Sequence, residues 1–177
     1  MTRPPFDAPS PEDIATVSRQ LGRPARDVVG IAARCVCGAP TVVSTRPRLS
    51  DGTPFPTFYY LTHPAATAAV STLEAEGQMP GFAALLVGDV AEQYRAAHEQ
   101  YIADRESIAV VDEIAGISAG GMPDRVKCLH ALVGHALAAG PGVNPIGDLA
   151  LERSAWSPLV CECVPEVSTV STSAEAS

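Results

Sequence analysis

The alternation of apolar and polar positions near the N-terminus predicts a short amphipathic helix. Val17 and Leu21 recur at helical spacing behind a start signal in which Ser10 is a typical N-cap. Asp13 takes the reciprocal position of a capping box. Gly22 supplies a typical helix end, so the helix is expected to stop at residue 21.

Three runs of apolar or β-branched residues follow and predict a small sheet. They cover residues 28–33, 41–45 and 57–61, and β-branched and aromatic side chains favour strands. Between the second and third runs, Asp51-Gly52 is a strong turn signal.

Helical patterns dominate the remainder of the chain. Helices are predicted for residues 64–76, 80–87, 89–108 and 123–139. The segment GPGVNPIGD that follows is predicted to be an ordered loop. The combined prediction is an α+β fold in which a small three-stranded antiparallel sheet packs against four or five helices.

The chain is long enough for one domain. It has 177 residues, of which 46% are hydrophobic, and this suffices for one apolar core. A single globular domain is predicted for residues 10–166. The Pro-rich residues 1–9 and the low-complexity residues 167–177 are predicted to be disordered.

Charge and hydropathy argue against several classes of protein. The net charge of −8 argues against a general nucleic-acid binder, which usually carries a basic face. No apolar run approaches the roughly 18 residues of a membrane span, and the N-terminus lacks the apolar stretch of a signal peptide. These observations predict a cytoplasmic protein whose five cysteines stay reduced.

Three segments carry a resemblance to a known family: CVCGAPTVV, RLSDGTPFPTFYYLTHP and AGISAGGMPDRVKCLHALVGHALAAGPGVNPIGD. The chain resembles, over roughly residues 12–163, an actinobacterial family catalogued as domain of unknown function number five hundred and one. That family has no assigned activity to carry over. Its genes tend to lie near those for enolase, a septum-formation protein and an exopolyphosphatase, which implies only an association with cell division.

The resemblance also bears on individual residues. The family commonly has a cysteine where this chain has His63, and a Cys-to-His exchange is compatible with a metal ligand because zinc accepts both. Cys161 matches a family segment in which Trp precedes Cys, whereas Cys163 is additional.

The dispersed cysteines and histidines predict a metal site. The candidate ligands are Cys35, Cys37, His63, Cys128 and Cys161. Zinc takes four tetrahedral nitrogen or sulfur ligands, while an iron–sulfur cluster held by dispersed cysteines is the alternative. Buried thiols without any metal are the remaining interpretation.

A second set of residues predicts a pocket for a small anion. Tyr94, His98, Tyr101 and Arg105 fall on one helical face, which is either a solvated surface or a pocket wall. Gly120-Gly121 before a helix starting at Pro123 would offer free N–H groups to an anion, with Arg125 adding positive charge. His135 is placed on the same helical face as Arg125 and Cys128, and His130 on the opposite side.

These observations favour a Cys/His metal-binding domain beside an anion pocket lined by His98, Arg105, Arg125 and His135. One alternative is an enzyme in which the Cys128 thiolate is the nucleophile, with His98 or His63 as its base. The other is a non-catalytic interaction module linked to cell division. The sequence identifies neither a substrate nor a protein partner.

Overall fold

The computed structural model describes residues 4–163, and the expected tail at 167–177 lies outside them. The elements are α1 (Pro11–Leu21), β1 (Val28–Arg34), β2 (Pro40–Thr45), β3 (Tyr59–Leu61), α2 (Pro64–Ala75), α3 (Met79–Ala83), α4 (Gly88–Glu106), a 3₁₀ turn (Asp112–Ile114), α5 (Leu129–Ala139) and α6 (Pro145–Arg153). The strands form one antiparallel sheet in the order β1-β2-β3. The predicted α+β fold with its three-stranded sheet is therefore confirmed.

Helix α1 begins as the sequence predicts. The Ser10 hydroxyl accepts a hydrogen bond from the Asp13 N–H at 3.1 Å, and the Asp13 carboxylate accepts one from the Ser10 N–H at 3.0 Å. This reciprocal pair satisfies two N–H groups that the first turn leaves without helical partners. Arg34 on β1 also binds the Asp13 carboxylate, at 2.7 Å, and so ties the helix start to the sheet.

The sheet lies between two helical layers. Val43 and Ile31 pack with Val17 of α1 on one face. Val42 and Leu61 point to the other face, where they join the larger core formed with α2, α4, α5 and α6. Every residue of β2 is buried, because successive side chains of the central strand enter opposite apolar layers.

The region after α4 differs from the sequence prediction in two ways. Helix α5 begins at Leu129 and not at Pro123. The intervening turn is closed by hydrogen bonds from the Lys127 N–H to the Gly120 carbonyl at 2.7 Å and from the Arg125 N–H to the Gly121 carbonyl at 2.9 Å. The predicted loop GPGVNPIGD instead opens the additional helix α6.

Asn144 explains why α6 forms. Its side-chain oxygen accepts a hydrogen bond from the Gly147 N–H at 2.9 Å, and Pro145 occupies the first helical position. An Asn cap followed by Pro is a recognised helix start. The described part of the chain thus contains six α-helices, and none of them has the length and apolar character needed to cross a membrane.

Residues 4–9 run along the sheet. Asp7 pairs with Ile31 of β1 as an isolated antiparallel bridge, and the Phe6 ring lies 6.1 Å from the ring of Tyr59.

Helices α5 and α6 approach each other closely at a glycine. A Cβ atom on Gly147 would overlap the Leu132 carbonyl oxygen and lie 2.8 Å from the Ala136 Cβ. We expect Gly147→Ala to lower the free energy of unfolding by at least about 2 kcal/mol, because the two helices must move apart. Urea denaturation monitored by circular dichroism measures this loss.

Gly81→Ala is the matched control. Gly81 also lies in a helix, but a Cβ there has no atom within 4 Å, so this variant should be neutral or slightly stabilised. Equal stabilities for the two variants would contradict the close-packing role of Gly147.

Candidate metal centre

The turn between β1 and β2 presents Cys35 and Cys37. It is closed by hydrogen bonds from the Cys35 N–H to the Ala39 carbonyl and from the Gly38 N–H to the Cys35 carbonyl, both at 2.8 Å. Gly38 has a φ of +89°, a conformation that favours glycine. Cys35 is buried, whereas Cys37 is exposed at the tip.

The segment after α6 brings a second pair of cysteines to this turn. Trp156 is 3% exposed and belongs to the main core, so it anchors the segment shortly before Cys161 and Cys163. The Trp156 ring lies 5.3 Å from the ring of His63.

The four sulfur atoms of Cys35, Cys37, Cys161 and Cys163 all lie within 4.8 Å of one another. We call this group the four-cysteine cluster. The Sγ atoms of Cys37 and Cys163 lie 3.3 Å apart. None of the four forms a disulfide, so all four sulfurs are available as ligands.

The pKa values of the cluster are shifted in opposite directions. The backbone N–H of Ala39, followed by the Cys163 thiol, lowers the pKa of Cys37 to about 7. Burial raises the pKa of Cys35 and that of Cys163. Cys35 and Cys163 therefore stay protonated at neutral pH unless a cation binds, and metal ligation deprotonates thiols.

His63 lies beside the cluster. Its Nδ1 accepts a hydrogen bond from the Ala66 N–H at 3.4 Å and so caps α2. The proton of the neutral ring is therefore on Nε2, which lies 3.3 Å from the Cys163 Sγ. Burial lowers the pKa of His63 and favours this neutral form.

Cys128, expected among the same ligands, lies elsewhere. It is the N-cap residue of α5 and belongs to a second donor group with Glu74 and His130, whose ligand atoms lie within 4.8 Å of one another. His130 therefore lies next to Cys128 and not on the opposite side of the helix. The contact with His130 lowers the pKa of Cys128, and the contact with Cys128 raises that of His130.

The polar stripe of α4 is turned inward. Tyr94, Tyr101 and Arg105 are buried, so this face is not a solvated surface. The Tyr101 hydroxyl accepts hydrogen bonds from the N–H groups of Phe58 at 2.6 Å and Tyr59 at 3.2 Å.

Arg105 and His98 bind groups of the protein itself. The Arg105 guanidinium donates to the carbonyl oxygens of Ile114, at 2.9 Å, and Ile117. His98 Nδ1 lies 2.8 Å from the Ser118 hydroxyl oxygen. Both side chains thus fasten the loop after α4.

The other residues expected to line the anion pocket, Arg125 and His135, do not lie together. Arg125 is exposed, and the helix start to which it was assigned lies further along the chain. His135 is fully buried in α5, where its ring stacks on Tyr59 at 5.6 Å and its Nδ1 lies 3.2 Å from the Asn144 side-chain nitrogen.

The fold and the site together define the class of protein: a small α+β domain with a four-cysteine cluster. The chain belongs to DUF501, a family described as a protein of unknown function, and residues 31–152 match it. No curated protein and no solved structure matches the chain. The family match includes Cys35 and Cys37 and ends before Cys161 and Cys163.

Sequence reasoning missed Cys163, Glu74 and His130. A signal for Cys163 was present, because Cys161-x-Cys163 repeats the spacing of Cys35-x-Cys37. Glu74 had no such signal, since a single acid on an amphipathic helix is ordinarily solvated.

Burial lowers the pKa of His135 to about 4. The unfolded chain therefore binds a proton below the ordinary His pKa of about 6.5, while the folded chain does not until pH 4 is approached. The contribution of His135 to the free energy of unfolding is therefore fully present above pH 6.5 and is lost as the pH falls toward 4. We expect His135→Phe to reduce the loss of unfolding free energy between pH 7 and pH 5 by about 2 kcal/mol.

Urea titrations of both proteins at these two pH values measure the difference. If the wild type and the variant lost the same unfolding free energy between pH 7 and pH 5, the pKa of His135 in the folded protein would be the ordinary one.

Proposed function

We propose that this protein is a zinc-binding domain in which Cys35, Cys37, Cys161 and Cys163 hold one structural zinc ion. The observation that carries the proposal is the convergence of four sulfurs, from two segments far apart in the chain, within 4.8 Å of one another. Zinc–sulfur bonds of 2.3 Å in a tetrahedron place ligands about 3.8 Å apart, which this spacing accommodates.

The spacing favours a single ion over an iron–sulfur cluster. In a cluster the thiolates are divided among two or more iron atoms, so some of them are held further apart than the ligands of one ion. Four thiolates also fill the coordination sphere of zinc, and a closed site of this kind is structural.

The surroundings suit a site with excess negative charge. Four thiolates and one zinc ion carry a net charge of −2, which N–H donors can disperse. The N–H groups of Cys37 and Ala39 bind the sulfurs of Cys35 and Cys37. His63 Nε2 is placed to donate to Cys163, so we assign His63 as a hydrogen-bond donor to a ligand.

The ion would join the turn between β1 and β2 to the segment after the last helix. Cys35 and Cys37 belong to the hairpin, whereas Cys161 and Cys163 follow the last helix. Closing so long a loop restricts the unfolded chain, and a covalent link of similar span stabilises by about 4–5 kcal/mol. The role supported is therefore fixation of the C-terminal segment on the sheet.

The other predicted functions lack comparable support. A small-anion pocket would need an Arg105 guanidinium that is not bound to backbone carbonyls, and it would need a His135 ring that solvent can reach. The interaction role in cell division stays a prediction, because it rests on gene neighbourhood alone.

Replacing both exposed cysteines tests the zinc site. We expect the double variant Cys37→Ser/Cys161→Ser to contain one zinc ion per chain fewer than the wild type, since two of four ligands are lost. It should also unfold at lower temperature. Elemental analysis of protein purified with reductant, together with thermal melting, measures both effects.

Cys128→Ser is the control, because Cys128 lies outside the four-cysteine cluster and this ion should remain. Three results would contradict the proposal: equal zinc contents in the double variant and the wild type, iron in place of zinc, or a Cys37–Cys163 disulfide in the freshly purified protein.

A further inference from the structure

The second donor group lies where α2 and α5 meet. Cys128 caps the first turn of α5, His130 is in that turn, and Glu74 is near the end of α2. Glu74 is eleven residues after His63, which corresponds to about 16 Å along the helix. The group is therefore a separate feature from the four-cysteine cluster.

Hydrogen bonds on the far side of the imidazole fix the orientation of His130. Its Nε2 lies 3.2 Å from the Thr67 carbonyl oxygen and 3.1 Å from the Ser71 hydroxyl oxygen. A carbonyl only accepts, so Nε2 carries the proton. In the neutral ring the lone pair is then on Nδ1, which lies 3.3 Å from the Glu74 Oε1.

This arrangement requires a proton or a metal ion between His130 and Glu74. A lone pair and a carboxylate oxygen repel each other unless a proton or a metal ion lies between them, and the Cys128 sulfur is within 4.8 Å of both ligand atoms. A proton on Nδ1 would make this contact an ion pair between His130 and Glu74, and its 3.3 Å is longer than the usual charge-assisted hydrogen bond of about 2.7–2.9 Å. Zinc with bonds of about 2.0–2.1 Å to nitrogen and oxygen gives a tetrahedral edge of about 3.3 Å, which is the separation observed.

The groups behind the donors are those of a metal site. A metal-binding histidine typically donates its other N–H to a carbonyl or carboxylate, as His130 does to Thr67. Glu74 is held by the Leu129 N–H, which donates to its Oε1 at 2.7 Å. Both donors are thus oriented before any ion arrives.

We propose that Glu74, Cys128 and His130 form a second metal site, for zinc or a similar borderline divalent ion. The site has three protein ligands, and all three residues are half-buried, so solvent can supply a fourth ligand. Three ligands with an open position define the catalytic type of zinc site. That position would take water or an anionic oxygen ligand.

Zinc content separates this site from the four-cysteine cluster. We expect wild-type protein loaded with Zn²⁺ and freed of excess to hold two ions per chain. Glu74→Gln and Cys128→Ser should each hold one, while Cys37→Ser/Cys161→Ser keeps the ion at Glu74. Failure of one site thus leaves the result for the other unaffected.

Glu76→Gln is the matched control. Glu76 lies at the same helix end and is exposed outside the donor group, so this variant should keep two ions. A single ion in the wild type, unchanged by Glu74→Gln, would overturn the second site.

Alkylation of the wild-type protein tests the site without any substitution. Iodoacetamide followed by peptide mass spectrometry reports on Cys128 with and without added Zn²⁺. We expect Zn²⁺ to slow its labelling at least tenfold at neutral pH. Fast labelling at the same rate under both conditions would show that a proton fills the space, as a thiolate–imidazolium pair, and would overturn the metal site.

Discussion

Close contact between α5 and its neighbours is the constraint on which the rest of the structure depends. Gly134 lets α5 approach β3, since a Cβ there would lie 3.1 Å from the Tyr59 carbonyl oxygen, and Gly147 lets α6 approach α5. With α6 seated in this way, Trp156 enters the core and the chain returns toward the hairpin turn. The same placement of α5 brings Cys128 and His130 to α2.

Buried polar side chains of α4 organise the loops around this core. Arg105 is 1% exposed, yet its guanidinium is bound to backbone carbonyls of residues 114 and 117. Tyr101 holds the backbone N–H groups at the start of β3. Loops carry unpaired backbone groups that are costly to bury, and long polar side chains from α4 satisfy them. The polar stripe is therefore structural in every contact described.

The two donor groups differ in the way their positions are supported. The four-cysteine cluster joins a tight turn to the segment after the last helix, so an ion bound there would act on the connection between two chain segments. The group at Glu74 joins two helices whose packing is already fixed by the core, and its donors have hydrogen-bonded partners of their own. The first arrangement suits a structural ion, and the second suits an ion with an open position.

Sequence alone determined the local features, because their physical causes are local. The capping box at Ser10 and Asp13 and the β-branched residues of β2 each act over a few residues, and they predicted α1 and the sheet correctly. The sequence also offered cysteine and histidine as candidate metal donors, with buried thiols that bind no metal as the alternative. The α5 start at Leu129 was not evident, because it depends on backbone hydrogen bonds to Gly120 and Gly121.

Only the tertiary structure decided which donors meet. Cys37 and Cys163 are 126 residues apart, and their contact depends on where α6 directs the chain. Cys128 was assigned to the wrong partners, because its neighbour Glu74 comes from a helix that packs against α5 only in the folded protein. Spacing along a chain reports distance within one element, whereas contact between elements follows from the packing of the whole core.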